Sequence, residues 1–125
     1  MTENEISYKI IGAAIEIHRV LGPGLLESVY EAALLYDLKE MGLEVTSQVP
    51  IPVIYKEVKH EAGFRLDLLV ENKVIVEIKS VETLAPVHHA QTLTYLKLTN
   101  KKLALLINFN IAVVKNGIHR IVNNL

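Results

Sequence analysis

The chain has 125 residues and a formal net charge of −1 at pH 7, from 13 Lys and Arg against 14 Asp and Glu. A chain of this length forms one domain, so we expect a single domain over residues 1–125. The absence of cysteine excludes a disulfide scaffold and any cysteine-ligated zinc or iron–sulfur site. We see neither a secretory signal nor an apolar run that could span a membrane, and we therefore expect a cytoplasmic protein.

The first third of the chain predicts two helices. Apolar residues recur at helical spacing over about residues 4–21, and Thr2 and Glu5 have the spacing of a capping box. Gly22–Gly24 then breaks the pattern. The same period resumes over about residues 25–41 and predicts the second helix.

A strand is predicted next, over about residues 48–55, where β-branched and apolar residues alternate. Pro50 and Pro52 cannot donate hydrogen bonds to a neighbouring strand, so this strand is expected at the edge of a sheet. We expect a turn near residues 59–62. Residues 64–70 and 74–79 then alternate again and predict a hairpin.

The rest of the chain predicts a helix and further strands. Pro86 suits the first turn of a helix over residues 86–99, and residues 102–108 are typical of a buried strand. A weaker pair of strands is expected around Ala112 and over residues 118–122. The order α-α-β-β-β-α-β, with C-terminal strands, predicts an α/β fold in which helices flank a mixed sheet.

The predicted hairpin places two carboxylates side by side. Pairing Val70 with Val74 keeps apolar residues opposite one another, and the same register sets Asp67 opposite Glu77. Their β-carbons would then lie about 5 Å apart, and Lys79 would share their face. Two such charges repel, so a divalent cation is the natural neutralising partner. The expected core face consists of Phe64, Leu66, Leu68, Val70, Val74, Val76 and Ile78.

This spacing of Asp67 and Glu77-Ile78-Lys79 resembles the motif of the PD-(D/E)XK nuclease superfamily. Leu66 stands where the superfamily's name has proline. The resemblance implies a restriction-endonuclease-like core and the hydrolysis of nucleic-acid phosphodiester bonds.

Two further motifs extend the resemblance to about residues 20–100. Gly24-Leu25-Leu26-Glu27-Ser28-Val29-Tyr30 is similar to the motif that names the GxxExxY proteins, a branch of this superfamily. Gln91 and Tyr95 resemble the Gln/Tyr helix motif of RecB-like exonucleases.

The resemblance implies specific roles for five residues. Glu27, Asp67, Glu77 and the carbonyl group of Ile78 would hold one or two Mg²⁺ or Mn²⁺ ions. Lys79 would orient or deprotonate the attacking water, and its position beside two carboxylates favours an electrostatic role. Independently of the resemblance, Glu27 falls in the first turn of a helix, where a carboxylate complements the macrodipole.

Other candidates have both a functional and an ordinary interpretation. Gln91 and Tyr95 lie one turn apart on a helix and would touch substrate or orient the site, or simply belong to the helix surface. Tyr30 is interpreted as a core residue whose hydroxyl reaches a site carboxylate. Glu31 is an extra ligand or a solvated helix residue, of which we favour the second. We expect all five histidines to be solvent-exposed: His18, His60, His88, His89 and His119.

Two functional hypotheses follow. The first is a metal-dependent nuclease acting on DNA. The second is a catalytically inactive module that binds nucleic acid or assembles with protein. Charge asymmetry supports the second, because residues 1–82 carry a net charge of −6 and residues 83–125 carry +5 without any acidic residue. The small size also favours a homodimer or a larger complex, formed through the strands after Asn108.

Overall fold

Both N-terminal helices form in the computed structural model, which describes residues 1–125 except for the side chain of Ala62. Helix α1 spans Glu3–Leu21 and α2 spans Glu27–Glu40. The predicted capping box is present: the Thr2 hydroxyl accepts from the Glu5 N–H (3.2 Å), and the Glu5 carboxylate accepts from the Thr2 N–H (2.9 Å). No helix in the described part of the chain is both long and apolar enough to cross a membrane.

Five strands form one mixed sheet, which confirms the predicted α/β class. Their spatial order is the same as their order in the chain. β3 and β4 are parallel and are connected by helix α3 (Pro86–Thr99), whereas the other neighbours are antiparallel. β1 lies at an edge, as its two prolines predict. The strands are β1 (Val45–Tyr55), β2 (Val58–Val70), β3 (Val74–Lys79), β4 (Leu103–Asn108) and β5 (Ile118–Val122).

Two local predictions are wrong. The turn between β1 and β2 lies at Lys56 and Glu57, which both have positive φ (49° and 65°), and not at residues 59–62, which continue β2. Ala112 lies in no strand, because a short 3₁₀-helix at Val114–Gly117 leads directly into β5. The C-terminal part therefore supplies one strand beyond β4 and not a pair.

The sheet has an apolar core on each face, and the predicted assignment of β2 to one face is wrong. Leu68 packs with α1 and α2, whereas Leu66 packs with Tyr95 of α3. Phe64 also contacts Tyr95, with ring centroids 5.3 Å apart. Regular alternation therefore breaks at Asp67. On the neighbouring strand Gln48 lies between the pairs Ser47–Leu68 and Val49–Leu66 and has φ 52°, outside the β region.

Tyr30 connects the core to the loop between α1 and α2. Its ring is fully buried and stacks on Phe109 at 4.4 Å. Its hydroxyl donates to the carbonyl oxygen of Gly22 (2.6 Å) and accepts from the N–H of Leu25 (3.1 Å). The hydroxyl is thus bound to backbone and not to a site carboxylate as predicted. It fixes the loop that leads into Glu27.

Replacing Tyr30 by phenylalanine should lower the free energy of unfolding by about 1–3 kcal/mol, because the Gly22 and Leu25 backbone groups lose their partner while the stacked ring remains. Urea denaturation measures this change. Tyr36→Phe is the matched control, since Tyr36 is 65% exposed and its hydroxyl change should leave stability nearly unaltered. Equal stabilities of the two variants would contradict this role for the Tyr30 hydroxyl.

Candidate active site

Asp67 and Glu77 lie where strands β2 and β3 separate. The register is the predicted one, with Val70 paired to Val74, but regular pairing ends at Leu68 and Val76. At the next position along the two strands, hydrogen bonds to the two carboxylates take the place of bonds between backbone groups. The Asp67 N–H donates to Glu77 Oε2 (3.2 Å), and the Ile78 N–H donates to Asp67 Oδ2 (2.7 Å). Each acidic residue therefore helps to hold the other strand.

Glu77 is an acid in an unfavourable place for a negative charge. It is 5% exposed, and among the side chains that the structure describes neither it nor Asp67 forms a salt bridge. Burial raises the pKa of Glu77 to about 9, helped by the charge of Asp67 and by contact with its carboxyl group. The same environment raises the pKa of Tyr95 to about 12, mainly through burial and then through the charges of Glu77 and Asp67.

Lys79 is a positively charged residue whose charge acts on Glu77 of the acid pair. It ends β3, two residues after Glu77, and is paired in register with Asn108 of β4. Its side chain is half-buried. The charge of Lys79 acts to lower the pKa of Glu77, although burial and Asp67 outweigh it.

Glu27 lies beside the end of β3. As predicted, it is in the first turn of α2, and its Oε2 accepts a hydrogen bond from the N–H of Ser80 (3.1 Å). It borders an open cavity of about 390 Å³, whose other lining residues are Leu25, Leu26, Ser28 and Ser80. In the part of the chain that the structure describes, no three Asp, Glu or His side chains are grouped closely enough to hold one ion. The structure therefore brings Asp67 and Glu77 together. Glu27 lies apart from them, beside the C-terminal end of β3.

The two candidates on α3 differ in their burial. Tyr95 is nearly buried on the α3 face of the sheet, where both carboxylates act on its pKa. Gln91 lies one turn earlier and is half-buried. Tyr95 is thus close enough to respond to the acid pair, and Gln91 lies one turn nearer the start of α3.

Glu31 is more buried than its sequence pattern predicts. Its carboxylate accepts from the Gln48 amide of β1 (2.8 Å), and burial followed by the charge of Asp67 raises its pKa. Glu31 is half-buried and not the solvated residue expected. Its spacing of four residues from Glu27 was the available signal, because such residues share one helix face. The charge of Asp67 thus acts on Glu31 of α2 and on Tyr95 of α3.

The histidines do not join this site, and the prediction that all are exposed is correct only for His60. His18 is half-buried and bonds to the carbonyl oxygen of Ile111 (2.8 Å). His88 accepts from the N–H of Ala85 (3.0 Å) at the start of α3. The other two, His89 and His119, are half-buried and contact each other edge to face with centroids 5.0 Å apart.

The donor chemistry of the acid pair suits a hard divalent cation. Two adjacent carboxylates and the nearby carbonyl of Ile78 are oxygen ligands of the kind that Mg²⁺ and Mn²⁺ prefer. Only one oxygen of each carboxylate is used in the hydrogen bonds between the strands. A cation here would supply the positive charge that the buried Glu77 lacks.

Glu77→Gln should stabilise the protein in EDTA at pH 8. The folded protein keeps the Glu77 proton up to about pH 9, whereas the unfolded chain releases it near the ordinary value of 4.5, so wild-type stability falls as pH rises between them. Glutamine has no proton to lose. Because one pKa unit corresponds to about 1.4 kcal/mol, the gain at pH 8 should be on the order of 1 kcal/mol or more.

Melting temperatures of both proteins between pH 4.5 and 9 measure this gain, which should shrink toward the acidic end. The exposed Glu40 offers the control variant Glu40→Gln, for which no such pH dependence is expected. A Glu77→Gln effect that is the same at every pH would contradict the raised pKa.

Comparison with known protein families supports the fold. A family model described as the PD-(D/E)XK nuclease superfamily matches residues 4–121, which is nearly the whole chain. No curated protein and no solved structure matches the chain. Nucleases of this superfamily generally use divalent metal ions and act on nucleic acid. Because this match covers nearly the whole chain, the chain belongs to the PD-(D/E)XK nuclease superfamily.

Proposed function

We propose that the protein is a divalent-metal-dependent nuclease that hydrolyses phosphodiester bonds of DNA. The observation that carries this proposal is the pair formed by the buried Glu77 and the half-buried Asp67, which has no salt-bridge partner among the described side chains and is followed by Lys79. A purely structural site would gain stability from an apolar pair at this position. Two acids at such a position, one of them with a strongly raised pKa, are typical of a catalytic site.

Asp67, Glu77 and the carbonyl group of Ile78 would hold Mg²⁺ or Mn²⁺, with Glu27 as a further ligand from α2. The ion would neutralise the phosphate, lower the pKa of water and stabilise charge in the transition state. Glu27 already points to the end of β3 through its bond to Ser80. In this proposal Glu27 keeps that bond through Oε2 and offers its other oxygen to the ion.

The remaining residues have supporting roles in this proposal. Lys79 orients the attacking water and stabilises negative charge on the phosphate. Tyr95 closes the α3 side and excludes water from Glu77. Gln91, one turn earlier in α3 and half-buried, would contact the substrate.

We also propose that the chain is of the GxxExxY branch, because the three motif residues act as one local unit. Gly24 has φ 93°, a conformation that favours glycine. The Tyr30 hydroxyl fixes the same loop at Gly22 and Leu25, and Glu27 emerges from it toward Ser80. The motif thus supplies a rigid support for one acidic side chain.

One observation favours a second candidate, a non-catalytic module that binds nucleic acid or assembles with protein. No third acidic side chain lies with Asp67 and Glu77 closely enough to complete an ion site, as far as the described side chains go. The acid-free stretch 83–125 would then contact phosphate. Strand β5 forms the second outer edge of the sheet, and homodimer formation along it belongs to this candidate.

Wild-type protein should cleave labelled DNA in Mg²⁺ or Mn²⁺ and not in EDTA, and Glu77→Gln should reduce the rate by at least about 100-fold. The assay compares single-stranded DNA, duplex DNA and RNA in parallel. Glu82→Gln is the matched control, because Glu82 is an exposed acid five residues later and lies outside the proposed ligand set.

Equal cleavage by wild type and Glu77→Gln would identify a contaminant and contradict the proposal. Salt-sensitive DNA binding without cleavage in any divalent metal would favour the binding module instead. Preferential cleavage of RNA would keep the catalytic site and correct the substrate.

A further inference from the structure

The segment that follows Lys79 is held from β4. The Phe109 N–H donates to the carbonyl oxygen of Lys79 (3.0 Å). The Asn108 side chain then binds both polar backbone groups of Val81: its Oδ1 accepts from the Val81 N–H (3.1 Å), and its Nδ2 donates to the Val81 carbonyl (2.9 Å). The amide therefore acts as a short extension of strand β4.

Asn108 is an unusual residue for its position. It is 4% exposed and ends a strand whose other five residues are buried and apolar. A buried amide costs free energy unless its groups are paired, so an aliphatic residue would be the simpler choice. The Asn108 side chain satisfies its polar groups with backbone partners. Besides its two bonds to Val81, its Oδ1 accepts a third hydrogen bond from the Asn110 N–H (3.2 Å). In register, Asn108 lies beside Lys79.

Ser80 holds the same segment from the other side. Its hydroxyl donates to the carbonyl oxygen of Leu25 (2.6 Å), and its N–H donates to Glu27 (3.1 Å). Ser80 therefore joins the end of β3 to the loop that starts α2. Residues 79–81 are bound by two elements that are far apart in the chain.

We propose that Asn108 and Ser80 are positioning residues, of which Asn108 fixes the direction of Lys79 and Ser80 fixes Glu27. This inference rests on the proposed nuclease function. β3 ends at Lys79, so the sheet no longer holds the chain beyond that residue. Without Asn108 and Ser80, the segment that follows Lys79 and lies beside the start of α2 would be loosely held. Loss of supporting contacts of this kind commonly lowers activity or metal affinity.

The test compares Asn108→Ala and Ser80→Ala with wild type by kcat, KM and Mn²⁺ affinity, the last from calorimetry. We expect both to lower kcat about 10–100-fold with little change in KM. Only Ser80→Ala should also weaken Mn²⁺ binding, because it removes the hydroxyl bond to Leu25 that keeps the Ser80 N–H beside Glu27, whereas Lys79 is not a ligand. Ser80→Thr keeps the hydroxyl and should stay close to wild type. Asn108→Ser keeps a shorter polar group and replaces Asn108→Ala if that variant does not fold.

Ser7→Ala is the matched control for lost stability. Ser7 is 2% exposed in α1, and its hydroxyl bonds to the carbonyl oxygen of Asn4 (3.3 Å). It should lower the melting temperature and leave kcat unchanged. Asn108 and Ser80 variants that behave like Ser7→Ala would overturn the inference while the nuclease function stands. A wild type that neither cleaves nor binds Mn²⁺ would overturn the proposed function and this inference together.

Discussion

The exchange of hydrogen bonds between Asp67 and Glu77 is the constraint on which the rest of the site depends. Strands β2 and β3 stop pairing just before these residues. Beyond that point, each carboxylate accepts a hydrogen bond from a backbone N–H of the other strand. The site is therefore built into the sheet and does not rest on a mobile loop. The same arrangement buries Glu77 without a cation, so the fold carries a local electrostatic cost.

The surrounding elements supply what the strands cannot. Helix α2 contributes Glu27 and Glu31, which lie one turn apart and reach β3 and β1 respectively. Helix α3 covers the opposite face with Tyr95, a buried residue whose pKa responds to the charges of Glu77 and Asp67. Because α2 is anchored through the stacked Tyr30, the acidic side chains are attached to the apolar core itself.

The sequence predicts the hairpin well because its register depends on local pattern: alternation and a three-residue loop decide that Val70 pairs with Val74. It cannot predict the change of face at Asp67, since Gln48 is not a residue type that marks positive φ. Ser80 and Asn108 were also missed. Their partners lie 53 to 55 and 27 residues away in the chain, and only the assembled sheet brings them together.

The most direct test of this account is a ¹³C NMR titration of the Glu77 side-chain carboxyl, in EDTA and then with saturating Mg²⁺. Without metal we predict a midpoint near the value of about 9 that burial and Asp67 produce, and with Mg²⁺ a midpoint far below it, because the ion favours the carboxylate. A midpoint near 4.5 in EDTA would contradict the burial of Glu77 beside Asp67. A midpoint that Mg²⁺ does not move would contradict its role as a metal site.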